Sequence, residues 1–335
     1  MSTASTEQQG RDSFYQLGPN NIIEAIESLG FHTNGVLSPL NSYENRVYEI
    51  GCWDAPSLIA KFYRPGRWSD AAIIEEHEFT LELESLEIPV VAPLRGKDED
   101  TLFHVGDFRF ALYPKCGGRA PEFDDPAVLV RLGRFIGRIH ALGAVADFEH
   151  RPELTVAHFG DASLDYLLEY GFLPPEFEGS YANLAEGLLD DIDALIGRAG
   201  NYQRIRLHGD THAGNILWSD NAPKIVDFDD ARMGPAIQDL WMFLSGPRAH
   251  CEQQLAALLE GYAQFFDFDS REIVLIEALR TLRMMHHAAW LARRWDDPAF
   301  KQAFPWFNTH SYWEDHIQSL REQAESLREA PLKWR

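Results

Sequence analysis

The sequence predicts an α+β fold of two lobes, a small antiparallel β-sheet N-lobe followed by a larger, mainly helical C-lobe. Three observations carry that expectation. Residues 16–115 hold runs rich in β-branched and aromatic residues, "RVYEIGC", "SLIAKFY", "TLFHVGD" and "FRFALYP", which read as strands. A single helical stretch, "DAAIIEEHEFTLELESL", interrupts them. After "PKCGGRAP" the apolar residues take up helical spacing and keep it nearly to the end. Strands first and helices after define the α+β class.

Taken in order, residues 1–15 are polar and are expected to be flexible. The N-lobe spans 16–115. It opens with "PNNIIEAIESLGF", a short amphipathic helix with Asn20 or Asn21 near its start and Gly30 near its stop. "RVYEIGC" and "SLIAKFY", joined by "WDAP", form an antiparallel hairpin. The acidic helix covers 70–86, with Ile73, Ile74, Leu81 and Leu83 set among acids. "PVVAPL" is read as a strand, followed by the two aromatic strands already quoted. A glycine-containing connector near 114–120 leads into the C-lobe, 116–335. There "PAVLVRLGRFIGRIHALG" is a helix that starts at Pro126 and stops at Gly143, and "NLAEGLLDDIDALIGRA" is another. Three short apolar runs follow, "RIRL", "NILW" and "PKIVDF", before helices resume beyond residue 235. No internal repeat or low-complexity block interrupts the pattern. A cleft between the lobes is the usual place for a ligand.

Composition narrows the function. Among 335 residues, 52 acids against 30 bases give a formal net charge of −22. Phosphate-tracking nucleic-acid binding needs clustered Lys and Arg, so that class is excluded. Cys52, Cys116 and Cys251 are too few and too scattered for a zinc site or a disulfide framework. No apolar run approaches the ~18–20 residues of a membrane span, and "MSTASTEQQGRDS" has no apolar core of a secretory signal. The expectation is a cytoplasmic protein with no membrane or nucleic-acid partner, acting as a monomer.

The chemistry lies in "RLHGDTHAGNIL" and, seven residues on, "KIVDFDDA". Asn215 follows Asp210 by five positions, and Asp227 follows Asn215 by twelve across a strand–turn–strand. A hairpin of that length returns Asp227 to the Asp210–Asn215 loop, so that two carboxylates and an amide oxygen face one point. Hard oxygen donors in small number suit Mg²⁺, which keeps positions for phosphate and water. Asp210 can then stand outside the metal shell and accept a proton from an attacking hydroxyl. Lys61 in "LIAKFYRP" is one charge inside an apolar strand, costly there unless paired.

The loop HGDxxxxN, carried by His208, Gly209, Asp210 and Asn215, and the segment opened by Asp227 resemble the aminoglycoside and choline kinase branch of the protein-kinase-like superfamily. The resemblance implies a two-lobed protein-kinase-like fold. It makes Asp210 the base, Asn215 and Asp227 the Mg²⁺ ligands, and His212 a group that approaches the transferred phosphoryl. It assigns Lys61 to the α/β-phosphates of ATP and asks one glutamate of the acidic helix to meet it. Spacing back from Pro89 picks Glu76, with Glu75 and Glu78 as rivals. "LNSYENRVYEI" takes the place of the phosphate-covering loop without any G-x-G-x-x-G, and Ser42 and Asn45 there offer donors to phosphate. Tyr113 to Cys116 correspond to the hinge whose backbone meets adenine. Asp239 matches the family aspartate that accepts backbone N–H bonds from the catalytic loop.

"LNSYENRVYEI", "KFYRPGRWS", "HGDTHAGNILW" and the stretch from "RTLRMMHH" to "YWEDHI" are similar to the bacterial stress response kinase group of that branch, over residues 15–325. The group implies a Mg²⁺- and ATP-dependent serine/threonine protein kinase that also phosphorylates itself, with Ser42 at the ATP site. Residues 228–238 leave little room for a peptide-binding activation segment, and no A-P-E occurs. That keeps a small-molecule hydroxyl kinase, acting on a choline-, homoserine- or aminoglycoside-like acceptor, as the alternative.

Overall fold

A computed structural model describes residue 14 and residues 16–219 and 222–334. The flexible tail expected over 1–15 lies outside them apart from Phe14, whose ring is buried. The chain forms two compact units. One comprises residues up to 122 together with 148–151 and 210–231, and the other comprises 123–147, 152–209 and 232–335. The loop 210–231, assigned from the sequence to the helical lobe, thus groups with the sheet.

The first unit begins with α1 (Pro19–Ser28), where the side chain of Asn21 accepts the Gly18 N–H. β1 (Thr33–Pro39), β2 (Arg46–Cys52), β3 (Leu58–Phe62), β4 (Phe103–Val105) and β5 (Phe108–Pro114) form one antiparallel sheet in the order β1-β2-β3-β5-β4. β3 is therefore central, flanked by β2 and β5. Successive side chains of a strand point to opposite faces. Leu58, Ala60 and Phe62 face Ile22, Ala25 and Ile26 of α1 in one core cluster. Ile59 and Lys61 face the other way, with Tyr113 opposite Ile59 and Ala111 opposite Lys61. α2 (Asp70–Ser85) starts on Ser69, whose hydroxyl accepts the Ala72 N–H.

One strand expectation needs correction, and one strand was not expected. "PVVAPL" makes only an isolated bridge, Val90 to Ile225, and does not join the sheet. β1 was not read from the sequence; its register shifts between Thr33 and Leu37, and Gly35 there has φ 80°. An irregular strand of this kind has no clean alternation to read. In the same unit β7 (Ile216–Ser219) and β8 (Ala222–Ile225) form the hairpin expected between Asn215 and Asp227.

The second unit is helical. α3 (Pro126–Gly143) has the bounds read from the sequence, with Asp125 accepting the Ala127 N–H at its start. α4 (Ala162–Glu169) follows a single wide turn, and α5 (Pro175–Ala199) begins well before the stretch read from the sequence. β6 (Ile205–Leu207) pairs with β9 (Arg232–Gly234). α6 (Gln238–Trp241), α7 (Arg248–Tyr262), α8 (Ile276–Arg293), α9 (Pro298–Ala303) and α10 (His310–Ser326) complete it. α3 and α7 meet backbone to backbone. A Cβ on Gly133 would lie 2.0 Å from the Leu258 carbonyl oxygen, and one on Gly261 would lie 1.9 Å from that of Val130. Larger residues at these two positions would force the helices apart.

Candidate active site

Lys61 is only 6% exposed. A buried ammonium is costly unless paired, and here it has three carboxylates. Its Nζ lies 2.9 Å from Asp227 Oδ1, 3.2 Å from Asp229 Oδ1 and 3.9 Å from Glu76 Oε1. Burial works against its charge, but Asp227, Asp229 and Glu76 together hold it well above the ordinary lysine range. Burial pushes the Glu76 carboxyl up, against the pull of Lys61.

Of the three rival glutamates, the structure brings Glu76 to Lys61. Glu75 points elsewhere and accepts the backbone N–H groups of His150 and Arg151 at 2.9 and 2.8 Å. Glu78 is exposed on the outer side of α2. Behind Lys61, Tyr63 hydrogen-bonds His77 Nε2 at 2.7 Å, and His77 Nδ1 lies 2.8 Å from the Thr101 hydroxyl. Burial, with the charges of Lys61 and Arg151, lowers His77 to about 3, so its ring is neutral in use.

A cavity of about 380 Å³ opens on this corner, within the range of small-ligand sites. Its lining includes Ser42, Lys61, Glu76, Tyr113, Cys116, Asn215 and Asp227, with Val47, Ile59, Val91 and Leu217 as apolar walls. Every one of these residues belongs to the first unit. Three expected residues lie outside the lining. Asn45 is buried, and its side-chain oxygen accepts the Arg64 N–H at 3.2 Å, so it shapes the turn after β1 rather than facing the cavity. His212 caps the single turn 213–215 by accepting the Gly214 N–H through Nδ1, and its Nε2 stands 3.4 Å from Asp210 Oδ2. Asp210 is joined to the lining through Asn215, whose Nδ2 donates to the Asp210 carbonyl at 2.9 Å.

The loops on either side of the hairpin are both irregular. Gly209 has φ 85° and Asp227 has φ 62°. Left-handed backbone is strained for a non-glycine residue and survives only where its surroundings impose it. In the second unit Asp239, fully buried, accepts the N–H groups of His208 and Gly209 at 2.8 and 2.9 Å and touches His140 Nε2 at 3.2 Å. His140 is itself buried and bonded to Tyr262, a structural histidine.

Two residues that sequence reasoning missed stand beside Asp227. Arg67 pairs with Asp229 and, at 3.0 Å, with Asp230. Arg151 donates to the carbonyls of Ala231 and Asp229. The available signal for Arg67 was a third basic residue in "KFYRPGR"; for Arg151 there was none. Asp229 and Asp230, two and three positions after Asp227, are engaged by these cations.

The donor set suits Mg²⁺. Asn215 and Asp227 offer an amide and a carboxylate oxygen to the cavity, the hard, sparse ligation this ion favours. Among the described residues no group of three or more His, Cys, Asp or Glu is arranged to hold a metal. No helix of the described residues is long and apolar enough to cross a membrane.

Sheet, buried lysine and carboxylate-bearing turn define a kinase-like phosphotransferase, and the comparisons agree. The phosphotransferase enzyme family (APH) matches residues 36–274. Stress response kinase A of Escherichia coli (strain K12) is 42% identical over 326 residues, 96% of this chain and 97% of that protein. A Salmonella typhimurium (strain LT2) protein named serine/threonine protein kinase RdoA is 40% identical over 321 residues, with the same coverage. Among solved structures, an amicoumacin kinase in complex with AMP-PNP, Ca²⁺ and amicoumacin superposes with TM-score 0.71 at 19% identity, covering 93% of this chain and 94% of that one. The chain belongs to the phosphotransferase enzyme family and, within it, to the stress response kinases. It is a kinase with the two-lobed α+β fold of that family.

Proposed function

We propose that this kinase uses ATP and Mg²⁺ to phosphorylate serine or threonine hydroxyls of a protein, itself included. The observation that carries the reading is the cavity in which Ser42, Lys61, Glu76, Tyr113, Cys116, Asn215 and Asp227 meet. Lys61 grips the α- and β-phosphates, held in place by Glu76. Ser42, in the turn after β1, covers the phosphates, and the backbone from Tyr113 to Cys116 receives the adenine edge. Asn215 and Asp227 would hold Mg²⁺, which would supply positive charge to offset that of the phosphates. Asp210 accepts the proton of the attacking hydroxyl as the γ-phosphoryl group leaves ADP, and His212 stands beside it to meet the phosphoryl oxygens.

The protein acceptor is supported by the printed name of the Salmonella typhimurium relative. One observation favours a small-molecule hydroxyl instead. Between Asp227 and Asp239 the chain holds only a single turn, 228–230, and the short β9, 232–234, before α6 begins. Peptide-binding kinases use a longer segment there. Acceptor use decides between the two. With γ-labelled ATP, Mg²⁺ and the purified protein, label on serine or threonine is expected. Label confined to a small alcohol added from a metabolite pool would overturn the protein-kinase reading and leave the phosphotransferase intact.

A further inference from the structure

Asp227 begins a turn that its own sequence does not stabilise. Its backbone is left-handed, with φ 62° and ψ 67°, and the turn 228–230 that follows is a single one. Short turns leave carbonyl groups without partners inside the turn, and these must be satisfied from outside when buried. Phe228 and Asp229 are both buried.

Two guanidinium groups reach this turn. Arg151 has a fully buried side chain. Its Nε donates to the Ala231 carbonyl at 2.8 Å, and its Nη2 donates to the Asp229 carbonyl and, at 3.5 Å, towards that of Phe228. Its Nη1 lies 3.8 Å from Glu76 Oε2 on α2. The backbone of Arg151 is itself pinned to α2, because Glu75 accepts its N–H. Arg67 reaches the same turn through its side chains, pairing with Asp229 and Asp230. Gly66, with φ 76°, turns the chain sharply just before it. The indole of Trp68 lies near both cations, its ring centre 4.3 Å from the Arg151 guanidinium and 5.3 Å from that of Arg67.

We propose that Arg151 and Arg67 are positioning residues that hold the turn 227–231 so that Asp227 presents its carboxylate to the metal, with Arg151 coupling that turn to the helix that carries Glu76. This rests on the reading of Asp227 as a Mg²⁺ ligand. A planar fork of fixed donors is what the arrangement uses. Arg151 spans the Ala231 and Asp229 carbonyls from two arms of one guanidinium, and Arg67 spans two carboxylates. A lysine keeps the charge but offers one compact ammonium and cannot span them, so Arg→Lys separates geometry from charge.

The test uses the full chain and AMP-PNP as the probe, titrated calorimetrically in excess Mg²⁺ and again in EDTA, beside amide hydrogen exchange of residues 228–231 in the metal-free protein. In Arg151→Lys, Mg²⁺-dependent affinity is expected to fall roughly 10-fold or more, as when a group supporting a metal ligand is lost. Affinity in EDTA should hold, and exchange at 228–231 should quicken. Arg67→Lys should shift both readouts in the same direction by less, and it decides the matter if Arg151→Lys does not fold. A folded variant of either kind with wild-type metal dependence and wild-type exchange overturns the proposal. Wild-type protein that binds no AMP-PNP in Mg²⁺ sinks the proposed function instead, and the exchange readout still judges the clamp.

Discussion

The loop that closes at Gly209 and the turn that opens at Asp227 are both irregular backbone, yet they are anchored from opposite sides of the hydrogen bond. Before Asp210 the backbone offers N–H groups, and a buried carboxylate, Asp239, accepts them. After Asp227 it offers carbonyls, and the buried guanidinium of Arg151 donates to them. Each anchor is an ion whose sign matches the backbone groups it must satisfy, and charge-assisted bonds of this kind are the strong ones. The backbone beside Asp210 and Asp227 is thus anchored by other residues, while the Asp227 carboxylate pairs with Lys61.

The comparison can be broken hardest at the metal side. Asp227→Ala removes the carboxylate itself and should lower Mg²⁺–ATP turnover by on the order of 10³-fold, with Mg²⁺-dependent nucleotide binding lost in the same calorimetric measurement. Full retention of affinity would remove Asp227 from the metal site. The anion-held loop should fail in another currency. Asp239→Asn keeps the shape, but the amide accepts two N–H groups less well and loses its charge beside His140. Stability should fall by about 2 kcal/mol, read as a lower denaturant midpoint, with turnover reduced because the loop before Asp210 loosens. An unchanged midpoint would mean that Asp239 does not carry the loop.

The smallest effect lies behind Lys61 and sharpens what holds the lysine corner. His77 is lowered to about 3 in the folded protein, against about 6.5 when unfolded. The unfolded chain therefore takes up the proton first, so the stability His77 contributes is complete above pH 6.5 and is lost as pH falls towards 3. His77→Gln should be less stable than wild type at pH 7.5, and the gap should narrow by pH 5. A gap independent of pH would mean that the imidazole is not kept neutral there.

How far the sequence reached follows from which signals are local. The bounds of α3 were legible because Pro126 at its first turn and an amphipathic face act within the helix itself. So was the hairpin that returns Asp227 to Asn215, since its two strands are near neighbours in sequence and pair Ile216 with Ile225 through Ser219 with Ala222. The choice among Glu75, Glu76 and Glu78 was not. α2 buries the polar Glu76, His77 and Thr80 among its apolar residues, so no single apolar face marks which acid points inward. Asn45 looked like a phosphate donor because its partner, the Arg64 N–H, is nineteen residues away. Arg151 carried no signal at all, since it acts on a turn seventy-seven to eighty residues further along the chain, a proximity that only folding creates.

The central claim is that Asp210 takes the proton of the acceptor hydroxyl while the nucleotide is held by other residues. Transfer of label from γ-labelled ATP by wild type and Asp210→Asn, with AMP-PNP affinity measured on the same preparations, tests it directly. The account predicts that the variant binds AMP-PNP in Mg²⁺ as wild type does and transfers phosphate roughly 10²- to 10⁴-fold more slowly. Equal transfer by the two proteins would contradict it.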